Sequence, residues 1–548
     1  MAENNELTPI PDFKEEKTIQ QDDVHSGERF EEKEIKDEVN EEGEAQKEES
    51  TPKNDPLIRA QKPVSLDGPK DFELEATERL IEFLKKNDVF ESQERVQKRK
   101  EVLIELQDIA NEFIRKTAEQ CNIELETDGK PVRCKLFPFG SYRLGVCSPT
   151  SDIDCLCVCP NFVKRDHFFS ILGDLLQNNK KVSGLQRIAN AYVPILTMEY
   201  DTVDIDLSFA SLEMNTIPDD IDLSDDSLLD NLDTKACNSI NGVRTNDMLL
   251  ALLPNKENFR TLLRMVRIWS KKRAIYGNVY GYLGGVNLAL LSAFVCQRYP
   301  NATPATLVLM FFYELMDWDW PNPIFINTPN QGKVTLWSQE TSTDAMPIIT
   351  PSYPCINSTR SASKSTLHRM TEEFKLGFKI TNSIISKKKK WSKLLAETNF
   401  FTQYRYYIRI EISSDTQDSF EIWEGTVESK IKRLALKLEE EENIQYAVTF
   451  PKCFEKSEDP KIKFPGSFFI GMIFSKPSDP NQKLNIDVTH VTQSFLTFLM
   501  NLPEKKAMML VSPKCIKRSD VPLFVFPNGK KPEIKKPKQK KVPKNNST

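Results

Sequence analysis

A glycine-serine turn and a pair of aspartates are the residues of this chain whose types and spacing could do chemistry. Gly140 and Ser141 follow the strand-like segment KLFPF, so free backbone N–H groups and a hydroxyl could meet the phosphates of a nucleotide there. Asp152 and Asp154 stand two residues apart in the apolar run SDIDCLCVCP. In a strand that spacing puts both carboxylates on one face, about 6 to 7 Å apart along it. The two features together predict a nucleotidyl-transfer site that binds two Mg²⁺ ions.

A two-metal site usually needs a further carboxylate beyond the first pair. The segment YDTVDIDLSFA is a second strand candidate, and it offers Asp204 and Asp206 on one face. Spacing alone does not choose between them, so either could complete the set. For isolated pairs of aspartates a solvated strand end is the simpler interpretation, and the preceding glycine-serine turn favours the catalytic one.

Helical patterns surround these strand candidates. Apolar residues recur at three- and four-residue spacing within residues 71–120, which predicts helices before the first acidic strand. The segment NFRTLLRMVRIWSKKR predicts a helix with an apolar face and a basic stripe. The stripe consists of Arg260, Arg264, Arg267 and Lys271. Such a stripe is either a solvated surface or a site for an anion.

The pattern changes to β character beyond residue 354. The segment YRYYIRIEI predicts a strand that has Tyr404, Tyr406, Ile408, Ile410 and Ile412 on one face and Arg405, Tyr407 and Arg409 on the other. We expect the second face to be open, because arginine and aromatic side chains on an exposed sheet suit single-stranded RNA.

Composition limits the class of protein. Hydrophobic residues make up 39% of the 548 residues and charged residues 28%, as in soluble proteins of several domains. Residues 1–50 carry 18 acids and 6 bases, whereas residues 530–548 carry eight lysines and one glutamate. Such tails bury too little apolar surface to fold, so both are predicted to be disordered. The lysine-rich end reads as a nuclear import signal or a nucleic-acid tether.

Other functional classes are disfavoured. The N-terminus lacks the apolar segment of a signal peptide, and no apolar run reaches the roughly 20 residues that span a bilayer, so we expect no membrane association. Eleven cysteines without CxxC pairs argue against zinc fingers and against a secreted disulfide framework. Cys155, Cys157 and Cys159 alternate along the first acidic strand and are predicted to be small buried apolar groups.

The chain resembles the eukaryotic nuclear poly(A) polymerases, within the DNA polymerase beta superfamily. The resemblance runs from about residue 88 to about residue 440, and its segments keep their order and spacing. They include NAYVPILTMEY, IDLSFASL, LLDNLDTKACNSINGVRTNDMLLALLP, NFRTLLRMVRIWSKKRAIYGNVYGYLGGV, DWDWPNPI, MPIITPSYP, KKKKWSKLLAETNFFTQYRYYIRIEI and WEGTVESKIKRLALKLE. Such collinearity is more specific than any single motif.

This resemblance implies an α+β, multidomain fold. The implied parts are an acidic disordered tail (1–62), a helical middle domain formed by residues 63–88 and 237–353, a polymerase-beta-like nucleotidyltransferase domain (89–236), an RRM-like αβ RNA-binding domain (354–512) and a basic disordered tail (513–548).

The implied activity is template-independent addition of AMP from ATP to the 3′ end of pre-mRNA, with two Mg²⁺ or Mn²⁺ ions. The implied partners are the RNA 3′ end, ATP and the cleavage and polyadenylation machinery, and the implied form is a monomeric catalytic subunit in the nucleus. Two alternatives stay open. One is another 3′-terminal transferase that adds uridine or a CCA end, and the other is an inactive RNA-binding subunit.

The resemblance also assigns residues. Ile205-Asp206-Leu207 matches the family's Ile-Asp-Leu pattern, which makes Asp152, Asp154 and Asp206 the implied catalytic metal ligands. The implied ATP contacts are these aspartates with Phe139, Gly140, Ser141, Ser151, Asn241, Arg267, Lys271, Tyr276, Gly285 and Val286. Arg267 stands where the family has a lysine.

Overall fold

The computed structural model describes residues 61–532, apart from 128–129, 328–337, 340 and 477–485. The predicted acidic tail up to residue 60 and the predicted basic tail from residue 533 therefore lie outside the described residues. In the part of the chain that is described, no helix combines the length and the apolar character that crossing a membrane requires.

The first region is a five-stranded mixed sheet with helices on both faces. Its strands are β3 (Lys135–Phe139), β4 (Ile153–Cys159), β5 (Val182–Ile188), β6 (Ile195–Tyr200) and β7 (Val203–Ser211), preceded by a small hairpin of β1 (Glu126–Thr127) and β2 (Lys130–Pro131). Its helices are α2 (Gln93–Cys121), α3 (Gly140–Leu144), α4 (Arg165–His167), α5 (Gly173–Gln177) and α6 (Thr234–Leu252). The strand order is β3-β4-β7-β6-β5, in which β4 and β7 are parallel and the other neighbours are antiparallel.

The central strand β4 is covered on both faces. Cys155, Cys157 and Cys159 face the apolar stripe of α2 and are fully buried, as predicted. Leu156 and Val158 face α6 on the other side. A strand between two helical layers must be apolar almost throughout, which explains the run CLCVC.

The second region is helical. It consists of α1 (Asp71–Lys86), α7 (Lys256–Lys272), α8 (Gly285–Arg298), α9 (Pro304–Met316) and α10 (Lys364–Ile385). Trp269 lies at its centre, 4.7 Å from the ring of Phe312 and 5.9 Å from that of Phe374. Asn255 starts α7 by accepting hydrogen bonds from the N–H groups of residues 257 and 258. Arg273, at the end of α7, forms a buried ion pair with Glu373 at 2.6 Å.

Two predicted domain boundaries need correction. The first, at residue 237, falls inside α6, whose first half packs on the sheet while Leu249 and Leu252 join the helical core. The second, at residue 354, comes before α10, although α10 packs on α9 and α1. The sheet of the third region begins only at Tyr406. We therefore propose that the helical region extends to about residue 398, since helical periodicity in α10 belongs to its core.

The third region has a β-α-β-β-α-β order. Its elements are α11 (Phe400–Gln403), β8 (Tyr406–Ser413), α12 (Gln417–Glu439), β9 (Ile444–Thr449), β10 (Pro465–Phe474), α13 (Thr489–Met500) and β11 (Leu510–Lys517). The antiparallel strand order is β11-β8-β10-β9. This is the arrangement of the predicted RRM-like module. Ile408, Ile410 and Ile412 face α12, as the alternation in β8 predicts.

The opposite face of this sheet is not open, contrary to the prediction. Tyr407 and Arg409 are buried, and Tyr404 joins Tyr407 in an aromatic cluster that covers the sheet. The cover includes Val525 and Phe526, from the short 3-10 turns that follow β11. The predicted disordered tail from residue 513 is therefore wrong up to residue 532. Residues 513–517 belong to β11, which pairs with β8, and the three short turns that follow it bury Val525 and Phe526.

Candidate active site

Three carboxylates meet at the ends of β4 and β7. The parallel register places Asp154 directly beside Asp206, and Asp152 precedes β4. Each of the three residues offers a carboxylate oxygen within 4.8 Å of the other two. Asp204 is exposed, pairs in register with Glu199 on β6 and lies outside this group. Spacing left the choice of third carboxylate open, and the structure brings Asp206 to the pair.

The carboxylates repel one another. Burial, followed by the charges of Asp152 and Asp206, raises the pKa of Asp154 to about 7, and Arg267 opposes that rise. Burial also raises the pKa of Asp206, whereas a hydrogen bond from Thr197 lowers it. A divalent cation would relieve this repulsion, and an all-carboxylate donor set suits hard ions such as Mg²⁺ and Mn²⁺. The residues therefore fit the implied metal ions.

Gly140 lets the turn before α3 lie against Asp154. Its φ of +62° belongs to the left-handed region, and a Cβ built on it would stand 1.9 Å from Asp154 Oδ2. No other residue could hold this position without moving the carboxylate. Ser141 follows, with its hydroxyl 3.6 Å from the Cys147 sulfur.

Arg99 of α2 binds the segment that leads into Asp152. The Ser151 hydroxyl accepts a hydrogen bond from the Ser148 N–H at 3.0 Å. The Ser151 carbonyl accepts from Arg99 Nη2, and Arg99 Nε donates to Glu91 at 2.6 Å. Arg99 is fully buried. Sequence reasoning missed this residue, although an arginine in line with the apolar stripe of α2 was a visible signal.

The three arginines of the basic stripe of α7 are not a solvated surface, whereas Lys271 is exposed. Arg260 Nε donates to the carbonyl of Leu144 at 3.0 Å, Arg264 Nη2 to that of Gly145 at 2.5 Å, and Arg267 Nη1 to that of Val146 at 2.9 Å. These carbonyls belong to the last residue of α3 and to the two residues after it, where a cation is favourable. The three arginines thus fix α3, which begins with the glycine-serine turn, to the helical region.

Arg267 and Lys271 lie on the α7 side of the aspartates. The charge of Arg267 acts on Asp154, as its effect on that pKa shows. Loss of hydration and the Arg267 charge lower the pKa of Lys271, and Asp152 acts in the opposite direction. Lys271 Nζ lies 5.1 Å from the ring centroid of Tyr276. Three of the predicted ATP contacts, Arg267, Lys271 and Tyr276, therefore lie together beside Asp152 and Asp154.

Gly285 and Val286 start α8 beside this cluster. A Cβ built on Gly285 would lie 3.6 Å from the Tyr276 hydroxyl, and Val286 is exposed. The exposed apolar side chain of Val286 thus follows a glycine that lies against Tyr276.

Phe139 and Asn241 lie at the edge of the site that faces α6. Phe139 pairs in register with Asp154, and its ring packs on Gly242 of α6, where an added Cβ would meet it at 2.8 Å. Asn241 is buried, and its Oδ1 accepts a hydrogen bond from the Ser352 hydroxyl at 2.9 Å. The ring and the amide are therefore fixed before any ligand binds.

A cleft of about 530 Å³ opens on the opposite side of the carboxylates, towards β5 and β6. Its lining residues are Thr150, Asp152, Ser183, Gly184, Gln186, Thr197, Met198, Glu199, Asp204 and Asp206. Four acids make this side unfavourable for a bare anion. A triphosphate would therefore approach from the side of Arg267 and Lys271.

Family models match three consecutive parts of the chain. The poly(A) polymerase nucleotidyltransferase domain matches residues 61–253, the poly(A) polymerase central domain 258–397, and the poly(A) polymerase predicted RNA binding domain 399–465. Among solved structures, one of Cid1, described by its RNA terminal uridylyl transferase activity, aligns with a TM-score of 0.43 and 15% identity. That alignment covers 60% of this chain and 99% of the other.

Curated relatives extend these matches over most of the chain. Poly(A) polymerase of Dictyostelium discoideum is 36% identical over 499 residues, which are 88% of this chain and 61% of the relative. Nuclear poly(A) polymerase 1 of Arabidopsis thaliana is 37% identical over 492 residues, which are 88% of this chain and 68% of the relative. The chain thus spans about three fifths to two thirds of the length of these relatives.

Proposed function

The chain belongs to the poly(A) polymerase family, and from that membership we propose that it adds AMP from ATP to RNA 3′ ends without a template. The observation that carries the proposal is the meeting of Asp152, Asp154 and Asp206 in one group. Carboxylates so close serve no packing purpose, since their mutual repulsion destabilises the fold unless cations are present. An inactive RNA-binding subunit would not need them.

The charges around the carboxylates give each side of the site a role. Arg267 and Lys271 would bind the triphosphate of ATP, and Ser141 would donate a hydrogen bond to it. Phe139 would belong to the phosphate-binding turn with Gly140 and Ser141, and Tyr276 would contact a phosphate beside Lys271. Asn241 would contact the ribose or the base, and Gly285 and Val286 would lie beside adenine. Ser151 would keep Asp152 in place through the contacts of its hydroxyl and carbonyl.

The metal ligands complete the mechanism. Mg²⁺ or Mn²⁺ ions held by Asp152, Asp154 and Asp206 would supply the charge that activates the RNA 3′-hydroxyl and stabilises the departing pyrophosphate. The protein itself fixes the positions of the groups that bind the metal ions and the substrate. Gly140 sets the distance from the turn to Asp154, and the arginines of α7 fix that turn. Fixed position and fixed charge account for most of the catalysis in phosphoryl and nucleotidyl transfer.

RNA would reach the site without stacking on the sheet of the third region. The match to a predicted RNA binding domain supports a contact there, but the face that carries Tyr407 and Arg409 is covered. We propose that RNA contacts the outer surface of this region and presents its 3′-hydroxyl to the three carboxylates.

The setting of the reaction follows from the relatives. Relatives from Arabidopsis thaliana are named nuclear poly(A) polymerases, and we propose that this chain likewise acts in the nucleus, in mRNA 3′-end formation. There it would be a monomeric catalytic subunit that the cleavage and polyadenylation machinery recruits.

Primer extension tests the proposal. Purified protein is incubated with a labelled oligo(A) primer, Mg²⁺ or Mn²⁺, and each of the four nucleoside triphosphates in turn. We expect long extension with ATP and little with UTP, CTP or GTP. Preferential extension with UTP, or addition limited to a CCA end, would replace adenylyl transfer by another terminal transfer. Absence of extension with every nucleotide would contradict the enzyme assignment.

A further inference from the structure

A second group of side chains that could bind a metal lies on the other face of the catalytic sheet. Cys134, just before β3, and Cys157 and Cys159 on β4 each place a sulfur atom within 4.8 Å of the other two. The sulfurs of Cys157 and Cys159 are 3.5 Å apart. All three residues are buried. Cys157 and Cys159 were predicted to be small buried apolar groups, and no role was predicted for Cys134.

The spacing of the sulfurs matches thiolate coordination. Metal–sulfur bonds of about 2.3 Å place three sulfurs about 4 Å apart when they surround one ion. Within the described residues, no histidine, aspartate, glutamate or further cysteine joins the group. A pure sulfur donor set selects soft cations, and the lack of a fourth side-chain ligand favours three-coordinate geometry.

The strand register and α2 hold the group together. Lys135 pairs with Val158, so Cys134 comes next to Cys159 at the end of the β3–β4 ladder. Gln107 of α2 donates from Nε2 to the Cys134 carbonyl at 3.2 Å and contacts its sulfur at 4.0 Å. The Gln107 Oε1 accepts from the Leu136 N–H at 2.9 Å. A hydrogen-bond donor beside a thiolate, such as the Gln107 amide, orients the sulfur and adjusts its affinity for a metal.

Each thiol that becomes a thiolate ligand would release a proton as the ion binds.

We propose that Cys134, Cys157 and Cys159 form a buried three-thiolate site for one soft d¹⁰ cation, Cu⁺ or Zn²⁺. The site is separate from the carboxylates, because Cys157 and Cys159 leave β4 on the face opposite Asp154. An ion there ties the residue before β3 to β4. These two strands carry the glycine-serine turn and Asp154, so occupancy stiffens the base of the active site without touching the substrate.

Metal retention by the full chain tests this site. Protein is reduced, washed with a chelator under anaerobic conditions and incubated either with Cu⁺ supplied as its bicinchoninate complex or with Zn²⁺. We expect wild type to withdraw one equivalent of one of these ions, to release protons and to gain several degrees in Tm. Cys134→Ala and Cys159→Ala should each reduce the affinity at least tenfold.

Cys155→Ala is the matched control, because Cys155 is equally buried on the same strand but lies outside the group. It should lose a similar amount of packing and keep the wild-type metal stoichiometry. Circular dichroism establishes that each variant is folded before the titration. The proposal is overturned if wild type retains neither ion, or if Cys155→Ala loses the ion as well. Formation of a disulfide between Cys134 and Cys159 in place of metal retention, seen as loss of two hydrogen atoms in the intact mass, would also overturn it.

Discussion

Gly140 shows how a single hydrogen atom sets the geometry of the site. Its backbone is left-handed, and Asp154 Oδ2 occupies the place where a side chain would begin. From the sequence, this glycine was expected to give a phosphate access to backbone N–H groups. The structure adds a second reason, which is the close approach of a metal ligand from the neighbouring strand.

Gly140→Ala should therefore leave a folded but nearly inactive protein. Displacement of Asp154 by about 1 Å is expected to lower kcat about 100-fold. Gly529→Ala is the matched control, because its φ of +65° is similar and nothing lies within 4 Å of the added Cβ. Both variants should lose about 1–2 kcal/mol of unfolding free energy from backbone strain. Primer extension together with thermal unfolding separates the two effects, and equal kcat values in the two variants would contradict the close-approach account.

Arg267 combines a structural contact with a predicted substrate contact. Its Nη1 donates to the Val146 carbonyl, and a guanidinium has four further N–H donors. Arg267→Ala is expected to raise the KM for ATP about 10- to 100-fold, because one charge-assisted hydrogen bond contributes about 1.5–3 kcal/mol. Arg260 lies nearer the start of α7, and Arg260→Ala removes its equivalent contact to the Leu144 carbonyl. This variant should leave the KM for ATP within about twofold of the wild-type value. Steady-state kinetics that show parallel changes in both variants would restrict Arg267 to its structural role.

At the scale of elements, periodicity identified the strands and helices that carry the carboxylates. The alternation in β4 and β7 gave the correct faces, since a strand between apolar layers leaves few alternatives. Periodicity could not show that α10 belongs to the helical core or that α7 binds the end of α3. The contact of α7 joins residues more than 100 positions apart, and α10 packs on two helices from earlier in the chain, so no local pattern contains either fact.

The covered sheet of the third region was the main error. Residues 513–532 have many lysines and prolines, and such composition usually indicates disorder. Burial of Val521, Val525 and Phe526 outweighs it, because each buried side chain of this kind contributes about 1.5–3 kcal/mol. The lysines of β11 remain at the sheet edge, where charge discourages pairing with other chains.

Two truncations separate the contribution of the described residues of this end from that of the residues beyond them. Removal of residues 518–548 should expose the aromatic cluster and lower the Tm by several degrees. Removal of residues 533–548 should leave the Tm unchanged. Thermal unfolding of both truncations checks this, and equal Tm values would show that the cover contributes nothing to stability.

At the scale of the whole molecule, we propose that the lysine-rich end directs the protein to the nucleus. A fluorescent fusion that lacks residues 533–548 should move from nucleus to cytoplasm while primer extension at moderate salt stays intact. If the segment is a nucleic-acid tether instead, the fusion stays nuclear and the same deletion weakens RNA binding, with a shallower dependence on salt. Restoration of import by an unrelated import signal is the control for expression and folding.

The central claim is that Asp152, Asp154 and Asp206, and not Asp204, form the catalytic metal site. The most direct measurement compares Asp206→Asn with Asp204→Asn in ATP-dependent extension of an oligo(A) primer. Both changes remove one negative charge from the same strand, so nonspecific electrostatic effects are matched. We predict that Asp206→Asn loses roughly 1000-fold in kcat, which corresponds to about 4 kcal/mol, whereas Asp204→Asn stays within about threefold of wild type. Equal losses in both variants, or a larger loss in Asp204→Asn, would contradict the account.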